Sequence, residues 1–354
     1  MTHMIYVVPS LKAKEKLQCE GKAWAESQGF TYVPRGKRTI QDLMDEYGED
    51  FLVYSSRGPQ IDRPEGSHFF SLNMAELRIQ NLRKGQPDHL LEALLGEKAQ
   101  SASDSDAAAR RQTQNDDIVA GSQQLVERKL QLGRTPYGVG APMRGARANS
   151  VDGPNRTGEG FAGRTLQSAT LTAPLHRGAS RTAAAQPPIT ILDCTCGFGA
   201  DAAVASFGLP AGSRVDALEV SPLLEAVTSW GFSHFVHKKD DVTAALRRIS
   251  LRRGDYRDYL LYDEGPVYDV LYFDPMFQRP VESSCQFQPV RAIMEHCGLT
   301  RELIERALQK ARRRVVIKER DFRQLCRDFP EVTLYGGKYS RIGYAVLECD
   351  SWKK

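Results

Sequence analysis

The amino-acid sequence predicts an α/β fold: a mostly parallel sheet closed by a C-terminal antiparallel hairpin and preceded by a small α+β N-terminal region. Three observations predict it. From residue 188 onward, short β-branched and aromatic runs alternate with helix-like stretches, the pattern of strand–helix–strand units in a parallel sheet. The closing stretch EVTLYGGKYSRIGYAVLECD reads as two strands around a Gly-containing turn. Ahead of residue 96, IYVVP at 5–9 and FLVYSS at 51–56 have strand composition.

Taken in order, residues 11–28 and 39–47 read as helices, the second opening at Thr39 with acidic residues in and after its first turns. In NMAELRIQNLRKG at 73–85, Met74, Leu77 and Leu82 form one apolar stripe of a third helix. Residues 97–187 change texture: rich in Ser, Ala, Gly, Arg, Gln and Thr, with almost no aromatic residues. Such a composition buries too little apolar surface to offset the entropy of ordering, so the stretch reads as a disordered low-complexity insertion. A short helix at 118–132 fits inside it, and its arginines would add weak attraction to an RNA backbone. The chain thus divides into 1–96, 97–187 and 188–354. In the last part ITILDCT at 189–195, RVDALEV at 214–220, VYDVLYFD at 267–274 and RRVVIKE at 313–319 are strands. Ser221-Pro222 opens a helix, with Ser as cap and Pro at its first position.

Composition narrows the function classes. A formal charge of +4 decides nothing about nucleic acid, so local clustering of Arg and Lys must carry that question. Seven cysteines are scattered, and only Cys194 and Cys196 lie close together, without a second pair at zinc spacing. They read as small buried residues, and no metal is expected. The N-terminal apolar run is too short for a signal peptide, and no run approaches twenty residues. A reduced, cytoplasmic protein is expected.

Asp193-Cys-Thr195-Cys-Gly197-Phe-Gly199 sits where the first of these strands turns into a helix. Glycines there let the backbone approach a ligand, and the helix start offers free N–H groups. Glu219, about twenty residues on at the next strand end, is placed to accept bonds from two ribose hydroxyls. Asp255, after a short third strand ISLRR, is a candidate for an adenine amino group.

The decisive run is Asp274-Pro275-Met276-Phe277 at the C-terminal end of a buried strand, the edge where open parallel sheets bind ligands. An exocyclic amine on a planar base is a poor nucleophile because its lone pair is delocalised. A carboxylate and a backbone carbonyl that accept both N–H bonds favour a pyramidal nitrogen aimed at an electrophilic methyl. Asp274 and the Pro275 carbonyl suit that task, Pro275 holds the turn rigid, and Phe277 is placed to stack on the base.

With these runs in view, the chain resembles the small-subunit (16S) ribosomal RNA guanine-N2 methyltransferase family, marked by a D-A-T-A-G-x-G-R-D turn and a D-P-M-F-P run. The matching pieces are Asp193 to Asp201, Glu219-Val220-Ser221-Pro222, Asp274 to Phe277, Val315-Val-Ile-Lys318, and GSHFFSLNMAELRIQNLRKGQPDHLLEAL at 66–94. Met276 is the specific mark, since most amino-methyltransferases carry a second Pro there. Two positions depart: Ala200 stands where the family has Arg, and Gln278 where it has Pro. The resemblance implies a Rossmann-like class I methyltransferase fold, S-adenosylmethionine as cofactor, and ribosomal RNA of the small subunit as partner. It implies cofactor roles for Asp193, Thr195, Gly197, Gly199, Asp201, Glu219, Val220 and Ser221, and an N-terminal region that helps place the RNA.

Basic residues consistent with RNA cluster at Arg35, Lys37 and Arg38, at Arg78, Arg83 and Lys84, and at Arg312, Arg313 and Arg314 with Lys318 and Arg320. Adenine, cytosine or a protein glutamine would serve the same amine chemistry, and a non-catalytic cofactor- and RNA-binding module would keep the same fold. A nicotinamide oxidoreductase would share the glycine turn and Glu219 but lacks the full G-x-G-x-x-G spacing and any use for Asp-Pro-Met-Phe.

Overall fold

The computed structural model describes residues 4–96, 186–262, 265–275, 298–336 and 342–351. Most of the low-complexity stretch, with the helix expected at 118–132, lies outside them, as does the turn of the terminal hairpin.

The N-terminal part forms a five-stranded mixed sheet. Its strands are β1 (Tyr6–Pro9), β2 (Thr31–Tyr32), β3 (Phe51–Ser55), β4 (Gly58–Arg63) and β5 (Gly66–Phe69), in the order β2-β1-β3-β4-β5. β1 runs parallel to β2 and β3, and β3, β4 and β5 form an antiparallel meander. Helix α1 (Glu15–Ser27) connects β1 to β2, and α2 (Ile40–Tyr47) leads into β3. α2 starts where Thr39 predicts: the Thr39 hydroxyl accepts the Asp42 N–H at 3.1 Å and Asp42 accepts the Thr39 N–H at 2.8 Å, a closed capping box. β4 and β5 were not expected, because Gly58, Pro59 and Gly66 interrupt their composition.

Two helices follow, α3 (Asn73–Arg83) and α4 (His89–Leu95). The stripe on α3 differs from expectation: Met74 and Leu77 are 43% and 66% exposed, whereas Ala75 and Ile79 are buried. The inward face is Ala75, Arg78, Ile79 and Leu82, spaced i, i+3, i+4, i+7, and a charged residue within it hid the periodicity.

The second sheet has seven strands: β6 (Thr190–Asp193), β7 (Arg214–Glu219), β8 (Ile249–Arg253), β9 (Val270–Phe273), β10 (Arg314–Glu319), β11 (Thr333–Tyr335) and β12 (Gly343–Glu348). Their order is β11-β12-β10-β9-β6-β7-β8, parallel throughout except for β12, which runs against both neighbours. This is the class I methyltransferase arrangement. Successive side chains alternate between two cores: Ile191, Val270, Tyr272 and Val316 face one, while Leu192, Leu271, Phe273 and Ile317 face the other. Burial on both faces explains the near-continuous apolar runs in these strands.

The helices of this part are α5 (Ala200–Gly208), α6 (Pro222–His234), α7 (Asp240–Leu246), α8 (Tyr256–Leu261), α9 (Arg301–Lys310) and α10 (Arg323–Asp328). α8 and α9 cover one face through Leu260, Ile304 and Leu308. The other face is covered by α5 and α6 and, in the same continuous core, by Ile79 of α3 and Leu90, Leu91 and Leu94 of α4. Phe70, just past β5, sits on α6 so closely that a Cβ on Gly231 would fall within its ring. At the opposite end of the sheet from the strands' C-termini, Gly96 closes α4 in a left-handed conformation against the Arg314 guanidinium. Among the described residues, no helix is long and apolar enough to cross a membrane.

Replacing Gly231 by Ala should destabilise the protein by about 1–3 kcal/mol, because the Phe70 ring must leave its place. A lowered urea midpoint with unchanged slope is the expected measurement; an unchanged midpoint would show that Phe70 repacks freely.

Candidate active site

The turn after β6 owes its shape to two glycines in the left-handed region, Gly197 at φ 54° and Gly199 at φ 74°. Gly199 caps α5, and a Cβ there would strike Phe232 and Thr228. At Gly197 a Cβ would meet only the Thr195 carbonyl, 3.9 Å away, so that side of the turn lies open to a ligand. Glu219 ends β7 and is 8% exposed. One of its oxygens accepts the Gly197 N–H and the other the Ser221 N–H, each at 2.9 Å. The Thr228 hydroxyl donates to the Gly197 carbonyl at 2.9 Å, and the Gly254 N–H donates to the Glu219 carbonyl at 3.0 Å. Ser221 caps α6 through the Leu224 N–H, and Val220 beside it is exposed. The glycine turn, the end of β7 and the end of β8 thus form one patch whose open glycine and carboxylate suit an adenosine-bearing cofactor.

Asp255, the candidate for an adenine amino group, stands at the start of α8. It caps α8 through the Arg257 N–H at 2.8 Å and pairs with the Arg257 guanidinium. Cys194 and Cys196 are buried beside the turn, and burial pushes both thiols well above their ordinary range.

The chain crosses from one half of the sheet to the other between β6 and β9, the switch point where ligands gather in open parallel sheets. There the Thr195 hydroxyl accepts the Asp274 N–H at 2.7 Å, fastening the end of β9 to the glycine turn. Asp193, 2% exposed, accepts the Thr195 N–H at 3.1 Å; burial raises its carboxyl well above the usual range, with Asp201 and Asp274 adding to the rise.

Asp274 stands at the end of a file of charges. Its Oδ2 accepts from Lys318 Nζ at 2.6 Å, and the same ammonium donates to Asp201 Oδ2 at 2.8 Å. Asp201 Oδ2 also accepts the Tyr272 hydroxyl at 2.7 Å, while its Oδ1 pairs with Arg78. Arg78 in turn holds Asp88 through two bonds of 2.7 Å, and Asp88 caps α4. Burial alone would push the Asp201 carboxyl up, but Lys318 and Arg78 outweigh it and hold Asp201 well below the usual carboxylate range. Burial raises Asp274 to about 6, opposed by Lys318 and reinforced by Asp201.

Several residues read as candidates for RNA are therefore committed elsewhere. Arg78 and Lys318 face carboxylates, and Arg83 pairs with Asp241. Lys84 is exposed at the end of α3, and Arg320 is exposed just past β10. Arg312, Arg313 and Arg314 lie at the start of β10, roughly 16 Å along the strand from Glu319 at the rise of an extended chain. Met276 and Phe277 lie outside the described residues. Sequence reading missed Asp88 and the linking role of Asp201; the legible trace was Arg78 inside an apolar helical stripe. It also missed His68, whose ring lies 4.4 Å from that of Phe198 in the glycine turn and which burial lowers to about 4.

A family model described as "Putative SAM-dependent methyltransferase" matches residues 160–342, more than half of the chain. The chain belongs to this family. S-adenosylmethionine is accordingly the cofactor of this family. The chain is 35% identical over 130 residues to the YpiP protein of Bacillus subtilis, covering 37% of this chain and 51% of that one. It is 30% identical over 140 residues to ribosomal RNA small subunit methyltransferase J of Hydrogenovibrio crunogenus, covering 38% and 49%. The chain spans about half the length of these curated relatives. A solved SAM-dependent methyltransferase of Neisseria gonorrhoeae aligns at 14% identity over 97% of this chain and 96% of that one, with a TM-score of 0.48.

Replacing Thr195 by Val should leave the Asp274 N–H without its partner and cost about 1–3 kcal/mol. Thr195→Ser, which keeps the acceptor, should recover most of that in chemical denaturation; equal losses in both variants would show that the methyl group matters instead.

Proposed function

We propose that the protein transfers a methyl group from S-adenosylmethionine to the exocyclic amine, N2, of a guanine in small-subunit ribosomal RNA, working in the cytoplasm. The observation that carries the transfer reading is the bond between Asp274 and Thr195, which sets an amine-accepting carboxylate beside the open cofactor turn. The guanine and the ribosomal target rest on the Asp-Pro-Met-Phe resemblance and on relatives named ribosomal RNA small subunit methyltransferase J.

When bound, S-adenosylmethionine supplies an electrophilic methyl on a positively charged sulfur. Glu219 would hold the ribose hydroxyls, exchanging them for its bonds to the Gly197 and Ser221 N–H groups. Asp274 and the Pro275 carbonyl accept the two N–H bonds of the amine, so that the nitrogen lone pair turns toward the cofactor turn. The methyl would pass from the sulfonium to this nitrogen, the electron pair of the broken C–S bond staying on the departing thioether. The surplus proton on nitrogen passes to Asp274 or to solvent. Lys84, exposed at the end of α3, and Arg320, exposed just past β10, are described candidates for the RNA backbone, with the N-terminal region as positioning element.

The test is transfer of tritiated methyl onto unmodified small-subunit RNA. Asp274→Ala should lower kcat at least ~100-fold while cofactor affinity holds, and Glu219→Gln should weaken cofactor binding ~10-fold or more in calorimetry. Label appearing only in large-subunit RNA or in protein would overturn the target; cofactor binding without any transfer would favour a binding module. Because the acceptor must be a carboxylate, kcat should fall as pH drops through about 6, where Asp274 gains its proton, and level off above it.

A further inference from the structure

Four charged side chains, Asp201 buried and Lys318, Arg78 and Asp88 half-buried, lie in single file behind Asp274 with no part in the transfer chemistry. Burying charge is costly unless partners compensate it. An apolar residue at 318 would simply continue the Val315-Val316-Ile317 run of β10, and Lys318 shares the face of Val316, which is fully buried. The Lys318 side chain is nonetheless 16% exposed and spends its ammonium on two carboxylates, Asp274 at 2.6 Å and Asp201 at 2.8 Å. Arg78 occupies the other oxygen of Asp201, and Asp88 clamps Arg78 from behind. Asp88, Asp201 and Asp274 against Arg78 and Lys318 leave one net negative charge. The file begins and ends on a carboxylate, Asp88 at one end and Asp274 at the other. Among the described residues, Asp274 Oδ2 is fixed by Lys318 while Oδ1 carries no hydrogen bond, which leaves one oxygen anchored and one presented.

We infer that Lys318 is a positioning residue that keeps Asp274 ionised and aimed as an amine acceptor, and that Arg78 of the N-terminal helix α3 supports it by neutralising Asp201. Asp274 otherwise faces groups that oppose its charge or leave it uncompensated: Asp193 on β6, Asp201 on α5 and Glu319 on β10, with the phenols of Tyr272 on β9 and Tyr344 on β12 nearby. With Lys318 absent, these would favour the protonated acid, which cannot accept an amine N–H with that oxygen. With Arg78 absent, Asp201 would draw the ammonium toward itself and away from Asp274. Asp274's purpose here rests on the methyl-transfer reading; its ionisation can be measured apart from turnover.

The experiment is carbon-13 NMR titration of the full chain labelled at aspartate carboxyls, with the Asp274 resonance assigned by its loss in Asp274→Asn. Lys318→Met should raise the Asp274 midpoint by roughly 1–3 pH units. Arg78→Met should raise it in the same direction but less, and Lys318→Arg should stay near wild type. The acidic limb of methyl transfer should move with the midpoint, so that kcat at pH 7 falls in Lys318→Met, recovers toward pH 9, and leaves KM for RNA unchanged. An Asp274 midpoint that does not move in either methionine variant overturns the inference, as does a kcat loss that alkaline pH fails to restore. If Lys318→Met does not fold, Arg78→Met and Lys318→Arg decide by the same midpoints. Midpoints that move in a protein whose wild type transfers no methyl group would sink the amine-transfer reading and leave the role of Lys318 standing.

Discussion

The Asp201 carboxylate is the fixed point around which this molecule is arranged. It sits in the first turn of α5, 8% exposed, and can remain charged there only while cations and donors reach it from several directions. Tyr272 comes from the central strand β9, Lys318 from β10, and Arg78 from α3. Meeting that requirement brings α3 against α5 and holds the C-terminal ends of β9 and β10 in register with the glycine turn. A carboxylate in the same place without these partners would take up a proton, and three elements would lose their common attachment.

The seven-stranded sheet supplies rigidity, and its two cores supply the reason the strands could be read so plainly. A strand buried on both faces cannot afford a polar side, so VYDVLYFD and RRVVIKE stand out against their surroundings. Crossing from β6 to β9 then leaves a gap at one edge only, and both the open side of Gly197 and the carboxylate of Asp274 fall at it. Location and chemistry therefore have separate origins: topology places the gap, and Thr195 and Lys318 determine what faces it.

How much was legible follows from the same physics. The strands of the second sheet, the cap at Ser221, the glycine turn, Glu219 and Asp274 could be named because each is local: a run, a cap, a turn, a strand end. β4 and β5 could not, since Gly58, Pro59 and Gly66 speak against strands, and β4 is covered by α6, more than 150 residues away in the chain. Arg78 and Lys318 were read as cations consistent with RNA, Lys318 at the sheet edge that holds Asp274, but a charge in isolation does not reveal that its partner is a carboxylate 123 or 44 residues away. Asp255 could be singled out from its position after β8, while its cap on α8 and its pairing with Arg257 emerge only from the structure.

Gly96 and the start of β6 lie at the same pole of the sheet. Gly96 touches Arg314, which opens β10, and β10 and β6 flank β9 with Arg314 and Ile191 both opposite Val270. The chain therefore leaves and re-enters the described fold at the pole far from Asp274. Changes confined to Gly96 or Arg314 therefore act a strand's length away from Thr195, Asp274 and Lys318.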